Sequence, residues 1–282
     1  MPNLFVSDLH GNKKKINSLF AYILDTLPQA VFFGGDILPN SYSLKESMEE
    51  FIDEIYLKPI SSIKKQKPSI RFFFILGNDD PKTYESIFQK ADEECLIDYV
   101  HMKTVTYQNY FVTGYACIPP TPFQLKDWER YDVSRFLDLG VIPPEEGIHS
   151  VTYDPDEIKF GTIKEDLEKL VKNAQPEKTI FLFHSPPYNT HLDRADLDGK
   201  YVDHAPVDVH IGSIAIREFI KTYRPAITLH GHVHESVKLT GQWMQRFDRT
   251  YSFSAAESND VLSIVSFDTR EPENSKRITF SV

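Results

Sequence analysis

Five short segments of this chain end in side chains that hold metals or move protons. They are Asp8-Leu9-His10-Gly11-Asn12, Gly34-Gly35-Asp36, Gly77-Asn78-Asp79-Asp80, His184-Ser185-Pro186-Pro187 and His230-Gly231-His232-Val233-His234. Each follows an apolar run, such as Leu4-Phe5-Val6 or Ile180-Phe181-Leu182-Phe183. In an extended chain alternate side chains share a face, so Asp8 and His10 point the same way and one cation can take both. The glycines before Asp36 let the backbone turn sharply and bring a carboxylate to a sheet edge. That carboxylate has two oxygens and can bridge two ions. Asn78 offers a neutral carbonyl oxygen, and His232 and His234 repeat the two-residue spacing.

Taken singly, none of these segments decides anything. Asp-x-His after a strand is commonly a surface polar pair, and Gly-Asp is ordinary turn chemistry. A lone histidine is more often a hydrogen-bonded core or cleft residue than a ligand. His-Gly-His-x-His also fits a single zinc site or a solvated loop. The weight lies in five such loops, each closing a strand, in one fixed order.

The elements that must position these loops follow a βα rhythm. Ile16, Leu19, Phe20, Ile23, Leu24 and Leu27 recur at helical spacing after the first strand. Ala30–Phe33 leads to a second helical pattern at Met48, Phe51, Ile52 and Ile55. Arg71–Leu76 leads to a third at Tyr84–Lys90, with Pro81 at its first turn. Such units predict a largely parallel sheet with ligands at the carboxyl ends of its strands. A hairpin around Gln108-Asn109 opens a second sheet. Residues 117–160, rich in proline and aromatics, read as a long ordered excursion. The rhythm returns with a helix at Glu165–Val171, a strand at Thr179–Phe183, a helix at Ser213–Tyr223 and a strand at Ala226–Leu229. The tail runs at Tyr251–Ser254, Val261–Phe267 and Ile278–Val282 read as antiparallel strands.

The ordered set of blocks resembles the calcineurin-like metallophosphoesterase family, whose pattern is Asp-x-His, Gly-Asp, Gly-Asn-x-(Asp/Glu), a lone His and Gly-His-x-His. The likeness runs from Asp8 to His234, and the surroundings of His184 and His232 look most like the subgroup related to bacterial cyclic-nucleotide phosphodiesterases. It implies an α/β fold, a four-layer α/β/β/α sandwich of two mixed sheets flanked by helices, with 1–282 as a single domain and 117–160 inserted in it. It implies that Asp8, His10 and His234 bind one ion, that Asn78, His184 and His232 bind another, and that Asp36 bridges them. The implied activity is hydrolysis of a phosphomonoester or phosphodiester by a hydroxide bridging the ions. Two cations about 3.5–4 Å apart clamp a phosphate and acidify a water between them. The mixed oxygen and nitrogen donors suit manganese, with iron, zinc, nickel or magnesium as alternatives, better than calcium.

One departure from the family pattern matters. Many members have histidine after the Asn of the third block, where it contacts phosphate or protonates the leaving group; this chain has Asp79. Asp79 is the catalytic candidate at that position, although a capping or ligand-supporting role is the blander reading, and Asp80 is expected to orient a neighbouring ligand. His191, Arg194, His204 and His210 lie between the fourth and fifth blocks. Of these, Arg194 is the candidate phosphate contact and His204 the replacement proton donor. Asn12 reaches the same mouth unless it only caps the following helix. His101 and His149 read as surface residues, and Trp128 and Tyr131 as a lid or, better, a satellite core.

Composition sets the outer bounds. Charged residues make up 26% and the formal net charge is −10, which disfavours a nonspecific grip on nucleic acid or anionic membrane. The short basic runs Lys13–Lys15 and Lys64–Lys67 read as solvated. Cys95 and Cys117 are too few for a disulfide framework and fit a reducing compartment, and no signal or membrane segment is visible, so the cytoplasm is expected. The partner is a small-molecule phosphate ester, with nucleotides among the candidates. The competing readings are a catalytically weak metal-binding scaffold that keeps the fold, and a two-metal amide hydrolase, which the block order argues against.

Overall fold

The computed structural model describes residues 2–40, 46–172, 174–257 and 260–282. β1 (Asn3–Val6) leads to α1 (Lys13–Thr26), whose apolar residues Ile16, Leu19, Phe20 and Ile23 are buried. β2 (Ala30–Gly34) precedes one long helical run made of α2 (Met48–Ile52), a π turn (Asp53–Leu57) and α3 (Lys58–Gln66). β3 (Arg71–Ile75), α4 (Glu85–Glu93) and β4 (Asp98–Tyr99) follow. The expected hairpin is β5 (Thr104–Tyr107) and β6 (Tyr110–Tyr115), turned at Gln108-Asn109. The irregular excursion then runs to α5 (Pro155–Phe160) and α6 (Ile163–Val171). β7 (Thr179–Phe183) is followed by a small hairpin, β8 (Tyr201–Val202) and β9 (Ala205–Pro206), then by α7 (Ile214–Tyr223) and β10 (Ile227–His230). α8 (Ser236–Thr240), β11 (Met244–Phe247), β12 (Thr250–Ser254), β13 (Val261–Phe267) and β14 (Lys276–Ser281) complete the chain.

The strands form two six-stranded mixed sheets, in the orders β14-β13-β1-β2-β3-β4 and β11-β12-β10-β7-β6-β5. In the first, β1 to β4 are parallel while β13 and β14 are antiparallel. In the second, β6, β7, β10 and β12 are parallel, with β5 and β11 antiparallel at the edges. The tail departs from the sequence expectation at one strand: β12 pairs parallel with β10, Ile227 opposite Tyr251, while β13 and β14 pair antiparallel as expected. The crossover through α8 places β11 outermost, and the turn into β12 then inserts β12 beside β10 in the same direction. A five-residue strand carries no mark of its neighbour, and neither β11 nor α8 was legible in the sequence.

Parallel strands buried on both faces need apolar side chains on both, which explains Ala30-Val31-Phe32-Phe33 and Arg71-Phe72-Phe73-Phe74. Alternation sorts their rings. Phe32 and Phe73 stack 4.8 Å apart and meet Tyr107 of the other sheet and Phe267 in the central layer. Phe33 and Phe74, stacked at 4.1 Å, face outward against Tyr56 and Phe88 of the flanking helices. On the far side Phe181 and Phe183 pack on Phe219 of α7. The result is helix, sheet, sheet, helix, with the carboxyl ends of β1, β2, β3, β7 and β10 at one edge. Among the described residues no helix is long and apolar enough to cross a membrane.

Phe32 is fully buried in the central layer, so Phe32→Ala is expected to cost about 3–5 kcal/mol by removing its ring. Phe136→Ala, at a side chain 79% exposed, is expected to stay within about 0.5 kcal/mol. Urea unfolding of the two variants checks the contrast.

Candidate metal centre

The strand ends bring Asp8, His10, Asp36, Asn78, His184, His232 and His234 together. Backbone bonds set the loops: Asp8 N donates to Gly35 O at 3.0 Å, His10 N to Asp36 O at 2.8 Å, and Gly231 N to His184 O at 2.9 Å. Four of the seven, Asp8, His10, Asp36 and His232, have φ between 44° and 74°. Non-glycine residues in the left-handed region are uncommon, and their clustering marks a place where the surroundings impose the backbone. No composition or periodicity rule reveals this.

The donors converge in two groups. Asp8, His10, Asp36 and His234 can each offer one atom such that all lie within 4.8 Å of one another, and so can Asp36, His184 and His232. His10 Nε2 and His234 Nε2 are 3.0 Å apart, and Asp8 Oδ1 is 3.2 Å from His234 Nε2. His184 Nε2 lies 3.2 Å from Asp36 Oδ2 and 3.0 Å from Asn78 Oδ1. A carbonyl only accepts, so the 2.7 Å contact of His184 Nδ1 with Gly34 O fixes the proton on Nδ1 and leaves Nε2 as the donor atom for a cation. Paired imidazole nitrogens and carboxylate oxygens aimed at common points fit divalent cations. Close approach explains two glycines: a Cβ on Gly77 would lie 2.3 Å from Asp36 Oδ1, and one on Gly35 2.7 Å from His184 Nδ1.

Protons and charges balance the cluster. Burial raises the Asp8 carboxyl, but the hydrogen bond and charge of His234, with His184 and His10, hold it well below the usual range. Asp36 is likewise held low, against burial, by His184. Burial opposes the charge on His184, yet Asp36 and Asp8 raise it to about 10; His234, paired with Asp8, rises against burial to about 9. His232 is driven down to about 3 by burial and the neighbouring His184 charge. His230 is no ligand: it is buried, with Nδ1 donating to Ser185 O and Nε2 facing Thr228 Oγ1.

Asp79 N donates to Asp36 Oδ1 at 2.8 Å, while its carboxylate accepts from Asn78 Nδ2 at 2.8 Å and stands 3.6 Å from His10 Nδ1. Burial and the Asp36 charge raise it to about 6, and cations bound alongside act the other way. Asp80 orients the loops themselves. Its buried carboxylate accepts from Ile37 N, Leu38 N and Gly77 N at 2.7 to 3.2 Å, clasping the loop of Asp36 to the loop of Asn78. Burial and Asp36 raise it to about 8, while the three amides favour the anion.

Trp128 is neither lid nor satellite. It is fully buried in the main core, and Nε1 donates to Asp80 O at 2.7 Å. Asp127 Oδ2 accepts from Lys82 N at 2.8 Å and Ser150 Oγ from Thr83 N at 2.9 Å, so the excursion braces the residues just beyond Asn78. A buried Lys126–Glu129 ion pair at 2.5 Å, closed by Thr121, stiffens the brace. Sequence reasoning missed this because only distant packing links the two segments. Tyr131 is buried, its hydroxyl on Glu145.

His101 and His149 are half-buried rather than exposed. His101 packs edge-on to Trp128 at 4.9 Å, accepts from Ala116 N, and is pushed down to about 3 by burial. His149 has a side chain 4% exposed, held by Pro144 O and Tyr153. Asn12 caps α1 by accepting from Lys14 N and Lys15 N. Arg194 bonds Ala195 O and Asp198, and His204 is exposed at the turn between β8 and β9. His204 belongs to neither converging donor group.

The fold is a two-sheet α/β sandwich whose strand ends bring together groups that could hold a metal ion. The chain belongs to the calcineurin-like phosphoesterase family, whose model matches residues 1–236. It is 40% identical over 85 residues to the uncharacterised protein MJ1162 of Methanocaldococcus jannaschii, a match spanning 29% of this chain and 34% of that one. Its fold is similar to TT1561 of Thermus thermophilus, with TM-score 0.56 and 17% identity over 99% of this chain and 98% of the other. It is also similar to a dimetal phosphatase from Danio rerio, LOC 393393, with TM-score 0.53 and 11% identity over 100% and 98%.

Trp128→Phe keeps a ring in place but strands the Asp80 carbonyl oxygen, at an expected cost of about 1–3 kcal/mol. The loosened Asn78 loop is expected to weaken divalent-cation binding as well, which urea unfolding and calorimetric cation titration measure separately.

Proposed function

We propose that the chain is a binuclear phosphoesterase acting on a small-molecule phosphate ester, monoester or diester, with a nucleotide as one candidate. Asp8, His10 and His234 hold one ion, Asn78, His184 and His232 hold the other, and Asp36 bridges them. The observation that carries this reading is that Asp36 belongs to both converging groups. When bound, two divalent ions supply charge neutralisation at the phosphoryl oxygens and a water acidified toward neutral pH.

The protein's own residues prepare that chemistry. His232 N donates to both Asp8 oxygens, fixing the carboxylate plane. Asp79 N orients Asp36, and Gly34 O sets the ring of His184. Manganese is our choice of ion on the donor set. Two unpaired cysteines, Cys95 exposed and Cys117 buried, support a reducing compartment such as the cytoplasm. We take the chain as one catalytic domain with residues 117–160 as its internal brace.

Two measurements test the assignment. Metal-stripped protein given Mn²⁺ is expected to bind about two ions per chain and to hydrolyse a nitrophenyl phosphate monoester or diester. Asp36→Asn is expected to lose activity by at least about 100-fold and to lower ion content while keeping its circular dichroism spectrum. Unchanged turnover in that variant would falsify the bridge.

Ion binding also has a definite pH sign. The metal-free protein keeps protons on His184 up to about pH 10 and on His234 up to about pH 9. Cations compete with those protons, so affinity is expected to rise as pH climbs from about 6 to about 9, with proton release. Calorimetry in two buffers of unequal ionisation heat detects the release; a pH-independent affinity contradicts it.

A further inference from the structure

The carboxylates around the cation site stand differently toward solvent. Asp8, Asp36 and Asp80 are buried, whereas the side chain of Asp79 is 52% exposed. Asp79 nevertheless reaches the proposed ligands of both ions. Its Oδ1 accepts from Asn78 Nδ2 at 2.8 Å, and its Oδ2 lies 3.6 Å from His10 Nδ1. The bond that orients Asp36 comes from Asp79 N, so the carboxylate itself is not needed for that support. It forms the open rim between the two sets of ligands, and a phosphate ester that reaches ions held there comes close beside it.

A carboxylate accepts hydrogen bonds and donates none, so it offers an anionic phosphoryl oxygen only repulsion. That repulsion grows with the charge of the phosphate. A monoester above its second ionisation carries two negative charges, and a diester carries one. Three cations that chain position would bring toward this rim are engaged elsewhere. Lys13 pairs with Glu46, Lys82 lies over the Trp128 ring at 4.8 Å, and Arg194 is held by Asp198. None of the three is set to offset the second charge of a monoester.

We propose that the Asp79 carboxylate makes this site selective for phosphodiesters by disfavouring the second negative charge of a monoester. The proposal rests on the phosphoesterase reading above and narrows its substrate class. Specificity is a difference of affinities, and a like charge set against the wrong ligand creates one without any added contact to the right one. Asp79 supplies that charge at the exposed edge of the ligands, where it meets what enters from solvent. A carboxylate that merely steadied His10 would act on both kinds of ester alike.

The test uses nitrophenyl phosphate and methyl nitrophenyl phosphate, which share a leaving group and differ by one charge at about pH 8. Wild type and Asp79→Asn are loaded with Mn²⁺ and compared at measured ion content; the amide keeps the side chain's shape and an oxygen for Asn78 Nδ2. Wild type is expected to show the higher kcat/KM on the diester, and Asp79→Asn to lower the diester-to-monoester ratio of kcat/KM by about 10-fold. Calorimetry reads the same selection without turnover: inorganic phosphate is expected to bind Asp79→Asn about 10-fold more tightly than wild type, with a much smaller change for dimethyl phosphate. A wild type that prefers the monoester, or a ratio and a phosphate affinity that Asp79→Asn leaves in place, overturns the proposal. Wild type that binds Mn²⁺ but cleaves neither ester overturns the phosphoesterase reading, and this proposal with it.

Discussion

The buried carboxylate of Asp80 is the constraint on which the rest of the site depends. Loops after neighbouring parallel strands have no ladder to align them once the strands end. Asp80 supplies the missing alignment by accepting from Gly77 N on its own loop and from Ile37 N and Leu38 N on the next. With those amides held, Asp36 lies between His184 and the Asp8 group and is reached by Asp79 N. Trp128 secures the clasp from behind through the Asp80 carbonyl. A chain of bonds thus runs from an excursion some fifty residues downstream to the carboxylate shared by both donor groups.

What the sequence showed and what it hid follow from the range of the interactions. Asp8, His10, Asp36, Asn78, His184, His232 and His234 were legible because each stands within a few residues of a strand whose apolar run is unmistakable. The helices of the first half were legible for the same reason, since periodicity is a local property. Trp128, the parallel setting of β12 and the packing of His101 against Trp128 were not, because each depends on a partner far along the chain. Asn12 had two readings, and its bonds to Lys14 N and Lys15 N show the capping one in place. The left-handed backbone at Asp8, His10, Asp36 and His232 leaves no sequence mark at all beyond the tolerance of Asp and His for that region.

That strain has an energetic meaning. Each sparsely populated backbone conformation costs of order 1–3 kcal/mol and persists only where the surroundings over-determine it. Here the surroundings are two sheets buried on both faces, with Phe32, Phe73 and Tyr107 interlocked between them. The packed sheets thus hold the strand ends from which the donors' backbone turns into conformations that non-glycine residues rarely adopt.

The same argument extends to charge. Two buried carboxylates and several imidazoles at mutual distances near 3 Å would repel or neutralise one another if left to solvent. Raised values at His184 and His234 and lowered values at Asp8 and Asp36 show protons standing between them as placeholders. A cation that enters finds ligands already oriented and needs only to displace those protons, so little conformational entropy is lost on binding. A site arranged this way gains its affinity from the fold's prior work, and the cost is carried by stability rather than by the binding step.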